Sequence, residues 1–447
     1  MSGTDLRKTV YYLKRNGLKK TWYAVRERLE ERQQPPYVWV PPTGKELKEQ
    51  RDKSETISNV TFSILTPAYR TDRKFLQELI DSLCCQTYGK WELILADATE
   101  DDSVERVVQG ALDPRIRYLR LEENAGIAVN TNRALAFAAG EFVGLLDHDD
   151  VLTENALYEM AARIEEGRRQ GIEPQMLYSD EDKCNGDRSQ YFELNKKEDF
   201  NLDLLLSNNY ICHFLVMKRE LIADLGLRTE YDGAQDYDLV LRAAARLMDR
   251  EGMVAHIPKV LYHWRCHTAS TAENPQSKLY AYQAGRRAIQ DFADQAGWKA
   301  VAEDTPHVGF YVLRYQGDIF ASRHDIGAIG GRLMKKGRIV GGRMTREGKV
   351  VYENLPGNYS GYLHRAILPQ DAVAVDIRNI RIREECLEIF RRVVGVAYQT
   401  VPGKGSFDVS LLPEGCDYVR ISLELCDAIT EAGYRILYQP LDNIDKV

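Results

Sequence analysis

The stretch that decides the fold runs from Asn124 to Thr153: N-A-G-I-A-V-N-T-N-R-A-L-A-F-A-A-G-E-F-V-G-L-L-D-H-D-D-V-L-T. It predicts a helix over 127–139, a turn at Gly140 and a strand over 142–146. The apolar run of this strand is typical of a strand that is covered on both faces in a parallel sheet. Ligands of open α/β sheets bind beyond the carboxyl ends of the strands, and this strand ends in a group of aspartates.

The aspartates Asp147, Asp149 and Asp150 predict a cation site. Asp147 and Asp149 fall on one face of an extended backbone, so two like charges lie close together and require a positive partner. Oxygen ligands suit a hard divalent ion, and we therefore expect Mg2+ or Mn2+ here. The alternative is that Asp150 or Thr153 only caps the next helix. One cap does not need three acids directly after a buried strand.

Composition indicates an acidic globular protein. The chain has 447 residues, a formal net charge of -7 and a pI near 5.8, which argues against nucleic acid as its main partner. Its eight cysteines include no C-x-x-C pair, so neither a zinc site nor a disulfide framework is indicated. No apolar run is long enough to cross a bilayer and the N-terminus lacks a signal-peptide pattern, so we expect a cytoplasmic protein.

The length and the order of patterns predict three parts. Residues 1–58 form a basic helical extension and a Pro-rich linker, residues 59–305 an α/β domain, and residues 306–447 a smaller α/β domain. The middle part alternates strands and helices with acids at strand ends, which predicts a doubly wound, mostly parallel sheet. The apolar stripe of the first helix either packs on the protein itself or lies on an anionic membrane, and packing is favoured.

A second motif that suits catalysis is G-A-Q-D-Y-D-L at 233–239, which opens a helix. It puts Asp236 in the first turn, where the helix dipole stabilises a negative charge. A simple N-cap is the alternative role. Two acids within three residues exceed what a cap needs, so we favour a chemical role for Asp236 and a structural one for Asp238.

A third motif is K-V-L-Y-H-W-R-C-H-T-A-S at 259–270. On an extended backbone His263, Arg265 and His267 share one face. Arginine offers paired donors to phosphate, and imidazole is a usable metal ligand. The alternative is that each histidine is satisfied by a carboxylate at a strand end.

Four short motifs occur in order and at fitting intervals: S-I-L-T-P-A-Y at 63–69, A-D-A-T-E-D-D-S at 96–103, N-A-G-I-A-V-N-T-N at 124–132 and L-D-H-D-D at 146–150. Together they resemble the nucleotide half of the family-2 inverting glycosyltransferases, which have the GT-A fold. The family usually has a pair of aspartates followed by glycine where this chain reads A-D-A. The resemblance implies a nucleotide-diphosphate-sugar donor near the following residues: Pro67, Tyr69, Asp97 and Asn132.

The resemblance also implies individual roles. Asp147 would lie toward the ribose and the metal, and Asp149 on the metal together with His267 or His263. Arg265 would bind the diphosphate. Asp236 would be the general base, although this chain has glutamine before it where glutamate is common.

The activity implied by the resemblance is inverting transfer of a hexose or deoxyhexose from a UDP-, dTDP- or GDP-sugar to a glycan or lipid-linked acceptor. Such enzymes build surface polysaccharides on the cytoplasmic side of the cell membrane, and the basic helix at the N-terminus could give peripheral contact there. A sugar nucleotidyltransferase is a rival, but residues 66–69 lack the Gly-rich basic loop it would need. A scaffold that binds a partner enzyme is the other rival, and the intact acids argue against it.

The third part contains a weak internal repeat. Asp236-Tyr237, followed by Gly252 and Pro258, is echoed by Asp417-Tyr418, followed by Gly433 and Pro440. Residues 306–447 have no S-I-L-T-P-like opening and no D-x-D. We therefore expect a partial second GT-A-like unit without a nucleotide site.

Overall fold

The apolar runs of the middle part come together in one large sheet. This computed structural model describes residues 3–267, 279–403 and 405–440, so residues 268–270 of the third motif lie outside the described residues. The chain divides into two units. The large-sheet unit comprises Pro35–Phe200 and Asn209–Phe292, and the small-sheet unit comprises Met1–Gln34, Asn201–Asn208 and Ala293–Val447. The boundaries expected at 58/59 and 305/306 stay predictions.

The regular elements are numbered in chain order. The helices are α1 (Gly3–Glu31), α2 (Gly44–Ile57), α3 (Arg73–Cys84), α4 (Ser103–Ala111), α5 (Ile127–Leu135), α6 (Ala156–Arg169), α7 (Leu202–Leu205), α8 (Arg219–Leu225), α9 (Gln235–Leu247), α10 (Leu279–Gln295), α11 (Ile319–Ser322), α12 (Leu387–Val394) and α13 (Tyr418–Glu431). The strands of the large-sheet unit are β1 (Phe62–Ala68), β2 (Trp91–Asp97), β3 (Ile116–Arg120), β4 (Phe142–Leu145), β5 (Val151–Leu152), β6 (Met176–Asn185), β7 (Tyr191–Asn195), β8 (Leu215–Lys218) and β9 (Val254–Cys266). Those of the small-sheet unit are β10 (Ala300–Asp304), β11 (Tyr311–Tyr315), β12 (Ile326–Gly330), β13 (Leu333–Lys335), β14 (Arg338–Gly341), β15 (Arg343–Met344), β16 (Gln370–Asp371), β17 (Ala374–Val375), β18 (Ile380–Ile382) and β19 (Arg435–Tyr438).

The strand order of the large sheet is β3-β2-β1-β4-β8-β6-β9-β5, with β7 paired to β6. Strands β3, β2, β1 and β4 run parallel, because a helix crosses over between each strand and the next along the chain. Strand β8 runs antiparallel to both of its neighbours, and β6 and β9 are parallel again. The expected doubly wound α/β fold of the GT-A type is therefore confirmed.

This topology brings the polar strand ends to one edge of the sheet. Strands β1, β2 and β4 are parallel neighbours, so their carboxyl ends lie together. That edge holds Pro67 from β1, Asp97 from β2 and the aspartates that follow β4. Beneath it, the strands bury a continuous apolar core that includes Ile64, Leu93 and Phe142.

Close packing at the start of β4 requires glycine. A Cβ atom added to Gly140 would lie 2.5 Å from the backbone nitrogen of Ser63. The Gly140 N–H also donates to the Ser63 hydroxyl at 2.8 Å. The turn before β4 therefore fits against β1 only without a side chain.

We expect Gly140→Ala to lower the free energy of unfolding by about 2–3 kcal/mol, because the added methyl group meets backbone that cannot move away. Urea unfolding measures the change. The control is Gly110→Ala in α4, where a Cβ atom would meet nothing within 4 Å. Alanine is the better helix former, so the control should be neutral or stabilised by up to about 1 kcal/mol. Equal stability of the two variants would contradict the close packing.

The small-sheet unit is built around a four-stranded sheet of order β16-β19-β12-β18. Its core includes Phe390, Phe407 and Leu425. The fully buried Arg323 guanidinium forms ion pairs with Asp203 at 2.7 Å and Asp325 at 2.8 Å. Because removal of one partner would leave a buried charge, these pairs fix residues 201–208 to this unit.

The pairing of β12 resembles that of β6. Strand β12 is parallel to β19 and antiparallel to β18, as β6 is parallel to β9 and antiparallel to β8. In each set, the helix that leads into the parallel partner begins at an Asp-Tyr pair, at 236–237 and at 417–418. This agreement is one of topology alone, and the partial second GT-A-like unit stays a prediction.

Helix α1 forms where the sequence predicts it, with non-helical dihedral angles at Gly17 (φ 78°). The favoured packing of its apolar stripe on the protein is wrong for the part of the stripe that lies after Gly17. Leu18, Trp22 and Leu29 are 80%, 56% and 53% exposed. Polar side chains of α1 make the contacts to the small-sheet unit instead. Within the described residues, none of the helices combines the length and the apolar character that crossing a membrane requires.

Two histidines stack in the small-sheet unit. The rings of His307 and His364 lie 3.6 Å apart between centroids, and Tyr12 and Phe310 pack against them. Burial and the nearby cations Lys20 and Arg15 lower the pKa of His307 to about 4. Burial, with His307 next, lowers the pKa of His364 to about 3.

We expect this pair to make stability fall in acid. The unfolded histidines titrate near 6.5, so below that pH the unfolded chain binds more protons than the folded one. The stabilisation is fully present above about pH 6.5 and is lost as the pH falls toward 4 and 3, at about 1.4 kcal/mol per pKa unit. Urea unfolding between pH 4 and 7 measures the slope. The double variant His307→Phe/His364→Phe should flatten it, and an unchanged slope would contradict the assignment.

Candidate functional site

The acid cluster after β4 divides into one buried and two accessible carboxylates. Asp150 is buried and accepts hydrogen bonds from the Arg265 backbone N–H at 2.7 Å and from the Tyr262 hydroxyl. Burial, followed by the charges of Asp149 and Asp147, raises the pKa of Asp150 well above its usual value. The side chains of Asp147 and Asp149 keep 49% and 23% of their surface exposed. These two remain available to a ligand.

The structure distinguishes His263 from His267, the two histidines that the sequence leaves as alternatives for the metal. His267 Nε2 lies 2.9 Å from an Asp149 carboxylate oxygen. His263 Nδ1 instead lies 2.5 Å from Asp182, its register partner in the β6–β9 pairing. This histidine is therefore satisfied by a carboxylate, although within the strands and not at a strand end. The geometry therefore brings His267 to the acid cluster.

The Pro-rich segment covers the Asp182–His263 pair. The Trp39 ring lies edge-on to the His263 ring at 4.5 Å, and the Tyr37 hydroxyl donates to Asp182 at 2.9 Å. The Tyr191 ring of β7 also packs on the imidazole, with centroids 4.6 Å apart. This part of the chain is an ordered component of the large-sheet unit.

Arg265 is buried behind the acid cluster. Its Nε donates to the Asp149 carbonyl at 2.6 Å, and its Nη1 donates to the Gly186 carbonyl at 2.8 Å and pairs with Glu78 at 2.7 Å. Its Nη2 is buried and has no hydrogen-bond acceptor among the described residues. The guanidinium therefore holds the Asp149 backbone, and its Nη2 group has no partner within the part of the chain that the structure describes.

Sequence reasoning missed His213, which lies beside the acid cluster. Its Nε2 is 3.8 Å from Asp147 and its Nδ1 is 3.1 Å from Glu181. The ring stacks on Tyr262, with centroids 4.6 Å apart and planes 9° apart. A single histidine inside the apolar run Y-I-C-H-F-L-V-M, at 210–217, was the signal that could have found it.

Glu181 is contacted by Lys197 and His213 at the same carboxylate oxygen. The buried Lys197 Nζ lies 3.2 Å from Glu181 Oε2, and His213 Nδ1 lies 3.1 Å from it. Burial acts to raise the pKa of Glu181, but Lys197 and His213 outweigh it and lower the pKa to about 2. The carboxylate is therefore ionised and orients the His213 imidazole toward Asp147.

Asp236 lies in the first turn of α9, as expected. Ala234 has the N-cap position, and Asn209 Nδ2 donates to Asp236 Oδ2 at 2.9 Å. Burial raises the pKa of Asp236, His213 lowers it and Asp147 raises it, with a net shift upward. A carboxylate with a raised pKa near a second acid is typical of a proton acceptor. Asp238 instead pairs with Arg228 and Arg242 and serves the structure.

Of the residues expected near the nucleotide, Pro67, Tyr69 and Asp97 lie at the strand-end edge, whereas Asn132 lies within α5. Three of them also bind protein groups. Asp97 is buried and accepts hydrogen bonds from the Thr99 N–H and the Tyr118 hydroxyl, both at 2.8 Å. The Asn132 amide bonds both backbone groups of Leu227, at 2.8 and 2.9 Å. The Tyr69 hydroxyl donates to Glu100 at 3.0 Å. Their roles toward a nucleotide stay predictions.

The donor atoms beside the cluster fit a divalent cation. Asp149 and His267 already approach each other at 2.9 Å. Ligand atoms of Asp147, Asp150 and His213 lie within 4.8 Å of one another. The carboxylate oxygens suit Mg2+ or Mn2+, and the two imidazoles add nitrogen ligands of the kind that transition metals accept.

Comparison with known proteins agrees with this fold. Residues 63–226 match the family model described as Glycosyl transferase family 2. A protein of Sinorhizobium fredii is 38% identical over 245 residues, which cover 54% of this chain and 26% of that protein. The O-antigen biosynthesis protein RfbC of Myxococcus xanthus is 35% identical over 244 residues, which cover 53% of this chain and 18% of that protein.

A shorter match joins the chain to a named enzyme. The UDP-Glc:alpha-D-GlcNAc-diphosphoundecaprenol beta-1,3-glucosyltransferase WfgD of Escherichia coli is 36% identical over 95 residues, covering 21% of this chain and 37% of that protein. In all three cases the match spans well under half of the relative's own length. The family model covers the strand ends, the acid cluster and His213. Residues 63–226 therefore belong to glycosyl transferase family 2.

Proposed function

We propose that the protein is an inverting, metal-dependent glycosyltransferase. It moves a hexose or deoxyhexose from a nucleotide-diphosphate sugar to a hydroxyl of a glycan or lipid-linked acceptor. The observation that carries this proposal is the separation of two kinds of acid. Asp147 and Asp149 lie together after β4, whereas Asp236 lies on α9 with a raised pKa and a hydrogen bond from the Asn209 amide.

The proposed donor is a UDP-, dTDP- or GDP-sugar. Its nucleotide lies at the strand-end edge near Pro67, Tyr69, Asp97 and Asn132, as the family resemblance implies. The named relatives act in O-antigen biosynthesis and on an undecaprenol-linked acceptor, which supports surface polysaccharide synthesis as the process. This proposed function implies a location in the cytoplasm, at the inner face of the cell membrane.

Asp147, Asp149 and His267 are the proposed ligands of Mg2+ or Mn2+. A cation held by these residues would offset the negative charge that develops on the departing diphosphate. Arg265 adds a second positive group. Its buried Nη2 lacks an acceptor among the described residues, and a phosphate oxygen of the donor would satisfy it.

Asp236 is the proposed general base. It takes the proton from the acceptor hydroxyl while that oxygen forms a bond to the anomeric carbon of the donor. The bond from the anomeric carbon to the diphosphate oxygen breaks on the opposite side, and the nucleoside diphosphate leaves with the electron pair. One displacement of this kind inverts the configuration of the sugar.

The first test concerns the metal ligands. Calorimetry with a nucleoside diphosphate and Mn2+ should show an affinity loss of at least about tenfold for Asp149→Ala, because the variant lacks a charged group that would hold the metal. Asp187→Ala is the matched control, since it removes an exposed acid whose hydrogen bonds go to Ser189. Equal affinity of the two variants would show that Asp149 is not a ligand of the metal.

The second test concerns the base. A screen of sugar nucleotides with Mn2+ identifies the donor, and transfer is then measured for Asp236→Asn. The amide keeps the shape but cannot take the proton, so transfer should fall by about 100- to 10,000-fold while donor affinity barely changes.

The matched control for the base is Asp417→Asn, at the N-cap of α13 in the small-sheet unit. Asparagine caps as well as aspartate, so this variant should keep full transfer. Near-normal transfer by Asp236→Asn would rule out the assignment.

A further inference from the structure

We propose that α1 docks the protein on an anionic membrane surface through an exposed apolar stripe. The stripe consists of Leu18, Trp22, Val25 and Leu29, which follow one another at the i, i+4, i+7 and i+11 positions of a helix. At 100° per residue these positions fall within a narrow sector of the helix surface. Val25 is partly exposed, and the other three side chains are more than half exposed.

Cations flank the stripe on both sides. The same helical spacing puts Lys19 and Arg26 along one border and Arg28 along the other. The Arg26 guanidinium lies 5.5 Å from the centre of the Trp22 ring. An apolar strip with a tryptophan, bordered by long basic side chains, is typical of helices that lie in the plane of a membrane interface.

Two acids of this helix bond to other parts of the small-sheet unit. Glu27 accepts hydrogen bonds from the Ser360 N–H at 3.0 Å and the Gly361 N–H at 2.6 Å. Glu30 accepts one from the Tyr359 hydroxyl at 2.8 Å and, with half of its side chain exposed, also pairs with Arg26 at 3.1 Å. These contacts use negative charge, whereas the cations Lys19 and Arg28 beside the stripe are exposed.

The charge of the exposed face decides which partner fits it. Residues 17–34 carry five basic and three acidic side chains, and two of the acids are engaged as described. Pairing with a second copy of the chain would bring like-charged borders together, which is unfavourable. Anionic lipid head groups attract these cations while the acyl region takes up Leu18, Trp22 and Leu29.

The inference rests on the proposed function in one respect, which is the reason for the protein to be at a membrane. The docking surface itself needs no donor and no acceptor. It is therefore tested on the full chain with vesicles alone, either of phosphatidylcholine or of phosphatidylcholine mixed with phosphatidylglycerol. Co-sedimentation measures the bound fraction at low and at high salt.

The wild type should bind the mixed vesicles, and bind less at high salt because salt screens the attraction. Leu18→Ser/Leu29→Ser should bind at least about tenfold more weakly, because two apolar side chains no longer enter the lipid. Lys19→Gln/Arg28→Gln should lose most of the preference for phosphatidylglycerol, by about tenfold, since each cation contributes separately.

The matched control is Val38→Ser/Val40→Ser. These valines are 71% and 78% exposed but lie outside α1, so binding should not change. Thermal unfolding of every variant should match the wild type, because none of the changed side chains is buried. No binding of the wild type to mixed vesicles, or equal binding of Leu18→Ser/Leu29→Ser, would overturn the proposal.

Two more measurements distinguish membrane docking from self-association and from nucleotide binding. Gel filtration measures the oligomeric state of the wild type and of Leu18→Ser/Leu29→Ser. If the wild type is a dimer, the variant is a monomer and the wild type does not bind vesicles, the stripe contacts a second copy of the chain and the proposal is overturned. Nucleoside-diphosphate binding with Mn2+ is measured on the same samples. Vesicle binding without nucleotide binding would support the docking surface and count against the proposed function alone, and the reverse result would overturn the docking surface alone.

Discussion

Three carboxylates that follow a buried strand cannot remain together at a sheet edge unless other groups compensate their charge, and this constraint organises the large-sheet unit. Asp150 turns inward to a backbone N–H and a tyrosine hydroxyl of β9. Asp149 meets His267, just beyond the end of the same strand, and Asp147 meets His213. The aspartates that follow β4 thus hold β9 and the segment before β8 in place.

The neighbours that compensate these charges also give the acids different proton affinities. Burial, followed by the charges of Asp149 and Asp147, raises the pKa of Asp150, whereas Lys197 and His213 keep Glu181 ionised. Asp236 belongs to another element and has its own amide partner. One unit can therefore contain acids with different proton affinities, because each acid has a different set of neighbours.

The sequence predicts the local part of this arrangement well. Apolar runs and turns locate the strands and helices around β4, and the acids after β4 are visible as a cluster. The partners of those acids are not visible, because they depend on which strands pair and in what register. The Glu78–Arg265 and Glu181–His213 contacts, for example, join residues that are far apart in the chain. Strand β7 is only five residues long, so local pattern gives little indication of it and its pairing with β6 establishes it.

Helix α1 shows the limit of periodicity as a guide. The spacing of its apolar residues predicts a stripe and says nothing about which way the stripe faces. Here Glu27 accepts hydrogen bonds from two backbone N–H groups elsewhere in the small-sheet unit, and these contacts help to set the orientation of the helix. A few charged side chains can thus set the orientation of a helix even where the apolar residues form the more obvious pattern.

The aromatic cover over the Asp182–His263 pair bears on how the protein can be shortened. Tyr37 and Trp39 lie well before the first strand, in a stretch whose prolines suggest a dispensable tether. An expressed fragment that starts at the first strand would lack both rings and would open a buried acid–imidazole pair to water. Recombinant fragments of the large-sheet unit should therefore begin no later than Pro35, where this unit itself starts.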